Sequence, residues 1–304
     1  MTLLDNKLKE INMITNNENR TFGVEVEFIS NTLNQNEFVA ALNLQLSITG
    51  SDLEVVSAYY SDTDATKWRI KTDASVMGQG YGLELVSPIL QGAQGEADLI
   101  TVLEAMNTLD ITANKTCGLH VHVGVSDWQI GNFKNLYKRY AKFESTLDTI
   151  MPVSRRKSNG DYCRSNLPCF IDTNYDVRNL PNKKLAEAFK SIDKCTTLRK
   201  LGNKLDNRYV KLNLQSFWKH GTIEFRHHSG TTDVAKITNW LTLCMAMVIA
   251  GDQKRVVKVK SNDTVEAYKD NINSFFNGLA KVAPQLITNE LKTFYRRRRR
   301  ALCA

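Results

Sequence analysis

Apolar and polar residues alternate one for one in six stretches of the chain, 22–29, 68–72, 82–86, 119–125, 209–215 and 222–227, and a period of two predicts a strand in each. A period near 3.6 instead marks 37–46, 96–109, 132–150, 183–194, 234–250, 265–279 and 285–299 as helices. Asp233 and the Asp263-Thr264 pair stand where side-chain oxygens cap helix N-termini. Residues 151–182 keep no period and contain Pro152, Gly160, Pro168 and Pro181, which predicts a long loop of the kind that often carries function. The runs 209–218 and 222–226 flank Lys219-His220-Gly221, and a short glycine-containing turn between alternating runs predicts an antiparallel hairpin. No repeat of fixed period interrupts this order. The expected fold class is therefore α+β, a mostly antiparallel sheet with helices packed on one face.

Composition narrows the picture. With 304 residues, 42% of them hydrophobic, the chain can bury a large core, which excludes disorder as its whole account. The longest apolar stretch, 240–250, is broken by Thr242 and falls short of the ~20 residues that cross a bilayer, so no membrane partner is expected. The N-terminus lacks a basic segment followed by an apolar one, so no secretory signal is read there and a cytoplasmic location is expected. The six cysteines form no C-x-x-C pair, which points to reduced thiols and excludes a zinc ribbon. The net charge is +8, and Arg296, Arg297, Arg298, Arg299 and Arg300 alone supply five positive charges. The rest of the chain is only mildly basic, so any anionic partner would be met locally, at that run.

Side chains two apart on a strand share a face. Glu25 and Glu27 therefore stand together, opposite Val24, Val26 and Phe28. Glu84 opposes Leu83 and Leu85; His120 and His122 oppose Leu119, Val121 and Val123; Glu224 and Arg226 oppose Ile223 and Phe225. Seen alone, each motif has a plainer reading: a solvated E-x-E face, a hydrogen-bonded histidine, a same-face ion pair. Four strands repeating the pattern make coincidence a weak account. If those strands adjoin, two carboxylates ~4 Å apart repel by ~4 kcal/mol at an effective dielectric of ~20, and divalent cations relieve the repulsion. Carboxylates with an occasional imidazole suit Mg²⁺ or Mn²⁺ better than Zn²⁺.

The ordered motifs Phe22-Gly23-Val24-Glu25-Val26-Glu27-Phe28, Glu84-Leu85-Val86-Ser87-Pro88, Cys117-Gly118-Leu119-His120-Val121-His122-Val123-Gly124 and Thr222-Ile223-Glu224-Phe225-Arg226-His227-His228 resemble the amidoligase family. These are carboxylate–amine ligases related to glutamine synthetase and glutamate–cysteine ligase. The resemblance covers 21–250. It implies a glutamine-synthetase-like curved sheet whose concave face holds Mg²⁺ (or Mn²⁺) and ATP, and a reaction that joins a small-molecule or peptide carboxylate to an amine donor through an acyl phosphate. By the same resemblance Glu25, Glu27, Glu84, His120 and Glu224 are metal ligands. His122 contacts ATP phosphates, and Arg226 holds the transferring phosphoryl group or the substrate carboxylate, a task suited to its planar fork.

Further matches extend the site. Arg208-Tyr209 and Asn213 resemble the family's Arg-Tyr and Asn segment, the plainer reading being the polar edge of a hairpin. Arg155 and Arg156, followed by Lys157 and Arg164, resemble a basic loop that covers nucleotide phosphates, the alternative being a solvated loop. Asp73-Ala74-Ser75 stands where the family has Asp-Gly-Ser; alanine reaches a positive φ less cheaply than glycine, which bears on the turn and on any substrate role of Asp73. The resemblance divides the chain into an N-terminal extension, 1–20, a catalytic domain, 21–250, and a helical extension with an arginine tail, 251–304. In that extension Val265, Tyr268, Ile272, Phe275 and Phe276 repeat at helical spacing and read as core. Two other functions fit parts of the pattern: a guanidino-kinase-like phosphotransferase on a related scaffold, and a non-catalytic module whose arginine tail binds nucleic acid.

Overall fold

In Thr21–Ser30 every second side chain is aliphatic or aromatic, so an extended strand can bury Phe22, Val24, Val26 and Phe28 on one side. That strand, β1, is the centre of the first of two units. The structure is a computed structural model and describes residues 20–59, 61–156, 162–172, 182–253 and 272–303. Outside these lie residues 1–19 of the N-terminal extension, Lys157, Gly160, Pro181, the Asp263-Thr264 cap, Val265 and Tyr268. The chain divides into Met1–Val123 with His228–Thr242, and Gly124–His227 with Leu243–Ala304.

In the first unit, β2 (Val55–Ser57), β3 (Trp68–Thr72), β4 (Tyr81–Val86), β1 and β7 (Gly118–Gly124) lie side by side in that order. Only β2 and β3 run parallel; β3–β4, β4–β1 and β1–β7 are antiparallel. Short β5 (Leu90–Gln91) and β6 (Ile111–Thr112) also pair with β1. Helices α1 (Gln35–Ile48) and α2 (Gly92–Met106) complete the unit. Asn34 caps α1, accepting from the Asn36 and Glu37 backbone while Glu37 returns a bond to its N–H. Phe38 of α1 meets Phe28 of β1 at 4.9 Å between ring centres, which places α1 over the apolar side of the sheet.

The second unit holds α3 (Ile130–Asp148), α4 (Asn182–Asp193), α5 (Leu198–Lys204), β8 (Leu212–Asn213), α6 (Gln215–His220), most of β9 (Thr222–Ser229), α8 (Ile272–Ala280) and α9 (Asn289–Cys303). Helix α7 (Val234–Asp252) contributes residues to both units. Its 19 residues are long and apolar enough to cross a bilayer, which corrects the sequence reading that began the stretch at Trp240. Trp240, Leu241, Leu243, Cys244 and Met247 are buried in the protein, as in a core helix that is apolar all round.

The expected hairpin is also corrected. Leu212 pairs with Phe225 and Asn213 with Glu224, so the antiparallel partnership stands, but α6 replaces the tight turn. The Asn213 side chain accepts from the Gln215 N–H and starts the helix, and Gly221, at φ 66°, ends it in the left-handed conformation. All six cysteines are free thiols.

Candidate active site

The antiparallel register of the first unit sorts the polar side chains into rows. Glu84 of β4 stands opposite Glu27 of β1 on one side and Lys71 of β3 on the other. One step along, Glu25 stands opposite His120 of β7, and Arg69 shares that row through Val86. His122 lies opposite Gly23. The motif Glu84-Leu85-Val86-Ser87-Pro88 has a local reason: the Ser87 hydroxyl accepts the Val24 N–H at 2.9 Å, and the Ser87 N–H bonds the Val24 carbonyl, holding β4 on β1.

Distances show how tightly the face is drawn together. His120 Nδ1 lies 3.0 Å from Glu25 Oε2 and His120 Nε2 3.6 Å from Glu27 Oε1. His122 Nε2 is 3.5 Å from Glu25 Oε1. Glu27 Oε2 accepts the Gly118 N–H at 2.5 Å. The ligating atoms of Glu25, Glu84 and His120 all fall within 4.8 Å of one another, and so do those of Glu27, Asp73 and Glu84. Glu84 thus belongs to both groups.

Asp73 enters through a turn. Its carboxylate accepts the backbone N–H and the hydroxyl of Ser75, both at 2.7 Å. No described residue other than glycine has a positive φ, so Ala74 sits in ordinary backbone space and the turn needs no glycine there. The glycine requirement falls on Gly82 instead. A Cβ there would meet the Val76 carbonyl oxygen at 2.6 Å and that of Asp73 at 2.7 Å, so only glycine lets β4 approach the turn.

Charge on this face is unbalanced. Burial pushes the Glu84 carboxyl up, the charges of Glu25, Glu27 and Asp73 push it further, and Lys71 only partly offsets them; it is held well above the carboxylate range. Glu25 goes the other way: burial opposes its ionisation, but the charges and hydrogen bonds of His122 and His120 outweigh it and hold the carboxyl well below that range. An ionised Glu25 can only accept, so His120 donates to it from Nδ1, with Nε2 directed toward Glu27.

In the second unit, Glu224 accepts from Asn213 Nδ2 at 2.6 Å and pairs with Arg226 Nη1 at 2.5 Å. Tyr209 lies under both neighbouring arginines, with the guanidinium carbons of Arg208 and Arg226 at 4.9 and 6.0 Å from its ring centre. Arg208 itself is exposed, and its Nη2 donates to the Tyr209 hydroxyl. Arg155 is buried, with its charge felt by Cys163 and His227. Arg156 donates to the carbonyls of Met151 and Leu302 at 2.7 and 3.0 Å, tying the loop to α9. In the first unit, His228 donates Nδ1–H to the Ser229 carbonyl and packs on Trp240.

Two features escape the sequence patterns. Arg69 and Lys71 sit on β3 beside the acidic rows, both donating to the Asp62 carbonyl; their alternation with Trp68 and Ile70 is the signal that could have found them. Burial, and then Arg69, push the Lys71 ammonium down against the pull of Glu84, Glu25 and Asp62. The second is a buried network in which Lys211 donates to Glu144 and Asp148 at 3.0 and 2.6 Å, and His227 Nε2 meets Asp148 at 2.7 Å. Burial, with Lys211 second, lowers His227 to about 4, so it is neutral and accepts the Tyr140 hydroxyl on Nδ1. Nothing in local alternation marks Lys211 as fully buried.

Fold and site define an α+β protein whose antiparallel sheet presents clustered carboxylates and imidazoles on the face away from α1. Residues 18–248 match the family described as "Putative amidoligase enzyme", and the chain belongs to that family. Membership supports a carboxylate–amine ligase at that coarse level. None of the curated protein sequences matches the chain. Among solved structures it is similar to a bifunctional glutathione synthetase from Pasteurella multocida, with TM-score 0.43 and 10% identity over 98% of this chain and 48% of that one. It is also similar to a novel glutamine synthase homolog, with TM-score 0.37 and 13% identity over 98% of this chain and 70% of that one. The chain spans about half the length of the first of these.

Proposed function

We propose that this protein is an ATP- and Mg²⁺-dependent ligase that joins a carboxylate to an amine through an acyl phosphate. The observation that carries the reading is the pair of ligand groups sharing Glu84: Glu25, Glu84 and His120, and Glu27, Asp73 and Glu84. A donor set of four carboxylates and one imidazole suits a hard divalent cation. Bound there, such ions would neutralise triphosphate charge and polarise the phosphoryl group for transfer.

The chain's own residues do the rest. Glu25 holds the His120 proton at Nδ1, leaving Nε2 available as a ligand. The Gly118 N–H fixes one oxygen of Glu27, so its other oxygen is presented without loss of side-chain freedom at binding. His122 is assigned to the ATP phosphates. Arg226, with Glu224 holding one arm of its fork, is assigned to the phosphoryl group or the substrate carboxylate, and Glu224 and Asn213 position it. Arg155 and Arg156 are left to the architecture of their loop, because the first is buried and the second is committed to two carbonyls. In the reaction, a carboxylate oxygen of the acid attacks the γ-phosphorus and ADP leaves. The amine nitrogen then attacks the acyl carbon, phosphate leaves, and the amine loses a proton.

The test incubates the protein with Mg²⁺–ATP and libraries of acids and amines and identifies products by mass spectrometry. An amide formed with stoichiometric ADP and phosphate supports the reading. A stable phosphorylated small molecule would replace it with the phosphotransferase. Nucleic-acid binding with no ATP consumption would leave a non-catalytic module. Glu25→Ala or Glu224→Ala is expected to abolish ATP turnover with the fold intact, and full ligase activity in either variant ends the assignment.

A further inference from the structure

The run of five arginines is not a loose tail. Arg296, Arg297, Arg298, Arg299 and Arg300 lie within α9, and α9 is fastened along its length. Leu291 and Tyr295 are buried, and Tyr295 packs on Phe276 of α8. Arg298 Nε donates to the Ile150 carbonyl at 2.7 Å, and Arg156 donates to the Leu302 carbonyl near the helix end. The inward face is thus spent on anchoring.

The outward face carries Arg296, Arg297 and Arg300, all exposed. Among the described residues no carboxylate pairs with any of the three; Arg296 meets only the neutral amide oxygen of Asn273. Positions 296 and 300 are about one turn apart on the helix, ~6 Å along its axis at ~1.5 Å per residue. The backbone that carries them is held in a helix anchored to α8 and the Ile150 carbonyl rather than in a free tail.

We propose that this ridge docks the phosphate backbone of a nucleic acid. The chemistry favours phosphate because guanidinium forks bind its oxygens in pairs, and because phosphates repeat at regular spacing along a strand. An acidic protein surface fits less well. Stable protein contacts centre on a desolvated apolar or aromatic anchor; the exposed neighbours Thr293 and Ala301 offer none, and the half-buried Phe294 packs on Tyr295. A membrane surface fits less well again: an interfacial helix inserts its apolar face, and here that face, Leu291 and Tyr295, is already buried in the protein. Binding to a phosphate backbone needs no apolar anchor, since counterion release alone supplies affinity.

The experiment measures fluorescence anisotropy of labelled single-stranded and duplex oligonucleotides with the full chain over a salt series. Polyglutamate and phosphatidylserine vesicles serve as rival polyanions. The R296Q/R297Q/R300Q variant is compared with the unaltered protein, with Mg²⁺–ATP uptake as the control for folding and for an independent site. The expected result is nanomolar-to-micromolar binding of at least one oligonucleotide form, weakened tenfold or more in the variant at low salt. The slope of log K against log salt becomes shallower by about 2 to 3, as three lost phosphate contacts require at roughly 0.7 to 0.9 each. Absence of oligonucleotide binding at low salt overturns the proposal. So does unchanged binding by the variant, or tighter binding of polyglutamate or the vesicles than of either oligonucleotide.

Discussion

Glu27 and Glu84 face one another directly across the β1–β4 register, and the ligating oxygens of both lie within 4.8 Å of a third carboxylate, that of Asp73. Strand pairing that buries the aliphatic side of β1 and β4 leaves these acids no other place to go. Lys71, opposite Glu84 on β3, is the counter-charge in the row, and its ammonium also donates to the Asp62 carbonyl at 2.5 Å. The protein alone therefore keeps Glu84 protonated well above the carboxylate range.

A cation should reverse that. Because the folded-state value of Glu84 is raised above its ordinary 4.5, its proton stabilises the metal-free fold below that pH, and the contribution is lost as pH rises. Mg²⁺ or Mn²⁺ at neutral pH is expected to raise the melting temperature, by a free energy of about 2.7 kcal/mol at a hundredfold excess over Kd, and to release protons measurable by calorimetry in two buffers. Glu84→Gln should remove most of the stabilisation and the proton release. A variant that responds to metal like the parent would show that Glu84 is not a ligand.

Lys211 supplies a second expectation. It is fully buried between Glu144 and Asp148, whose charges overcome its burial and keep the ammonium protonated well beyond its usual range. Lys211→Met leaves two buried acids without their cation, and such one-sided removals cost about 3–5 kcal/mol. Urea denaturation should show that loss, and adding Glu144→Gln and Asp148→Asn should recover part of it. Equal midpoints for the single and triple variants would contradict the network.

Glu96 on α2 is buried, with no partner for Oε2 among the described residues, and burial raises its carboxyl to about 8. Its folded-state value is thus above the ordinary 4.5, so its proton stabilises the fold below pH 4.5 and is lost progressively up to pH 8. Through that window its share falls by at most about 1.4 kcal/mol per pH unit. Glu96→Gln should make the stability–pH slope shallower between pH 5 and 8, read from urea midpoints, and should be more stable than the parent at pH 8.

Gly82 couples the backbone to the acidic face. An added methyl meets two carbonyl oxygens of the Asp73–Ser75 turn and its neighbour Val76, neither able to rotate away. Gly82→Ala is expected to cost about 1–3 kcal/mol, as overpacking does, and to weaken Mn²⁺ affinity by moving Asp73. Ala74→Gly, at an ordinary φ, should change metal affinity little. Metal titration of both variants decides the point.

Much of this was legible in the residues. Strict alternation in 22–28 and 119–123 assigns Glu25 with Glu27, and His120 with His122, to single faces, because a strand has no other way to bury Val24, Val26, Leu119 and Val121. Alternation also misled: Val210, Leu212 and Leu214 suggested a strand over 209–215, whereas the Asn213 side chain starts α6 within it. The arginine run was visible as charge at the end of a predicted helix, 285–299, but nothing in the residues showed that helix fastened along one side.

Alternation is local, so the sequence by itself determined which side chains stand together on each strand, the α+β class and the family motifs. Which strands adjoin is a matter of pairing between segments tens of residues apart, and only the tertiary structure set Glu84 against Glu27 and Lys71. It likewise decided that Lys211 is buried rather than exposed, because a charged side chain enters a core only where distant carboxylates, here Glu144 and Asp148, are already placed to receive it.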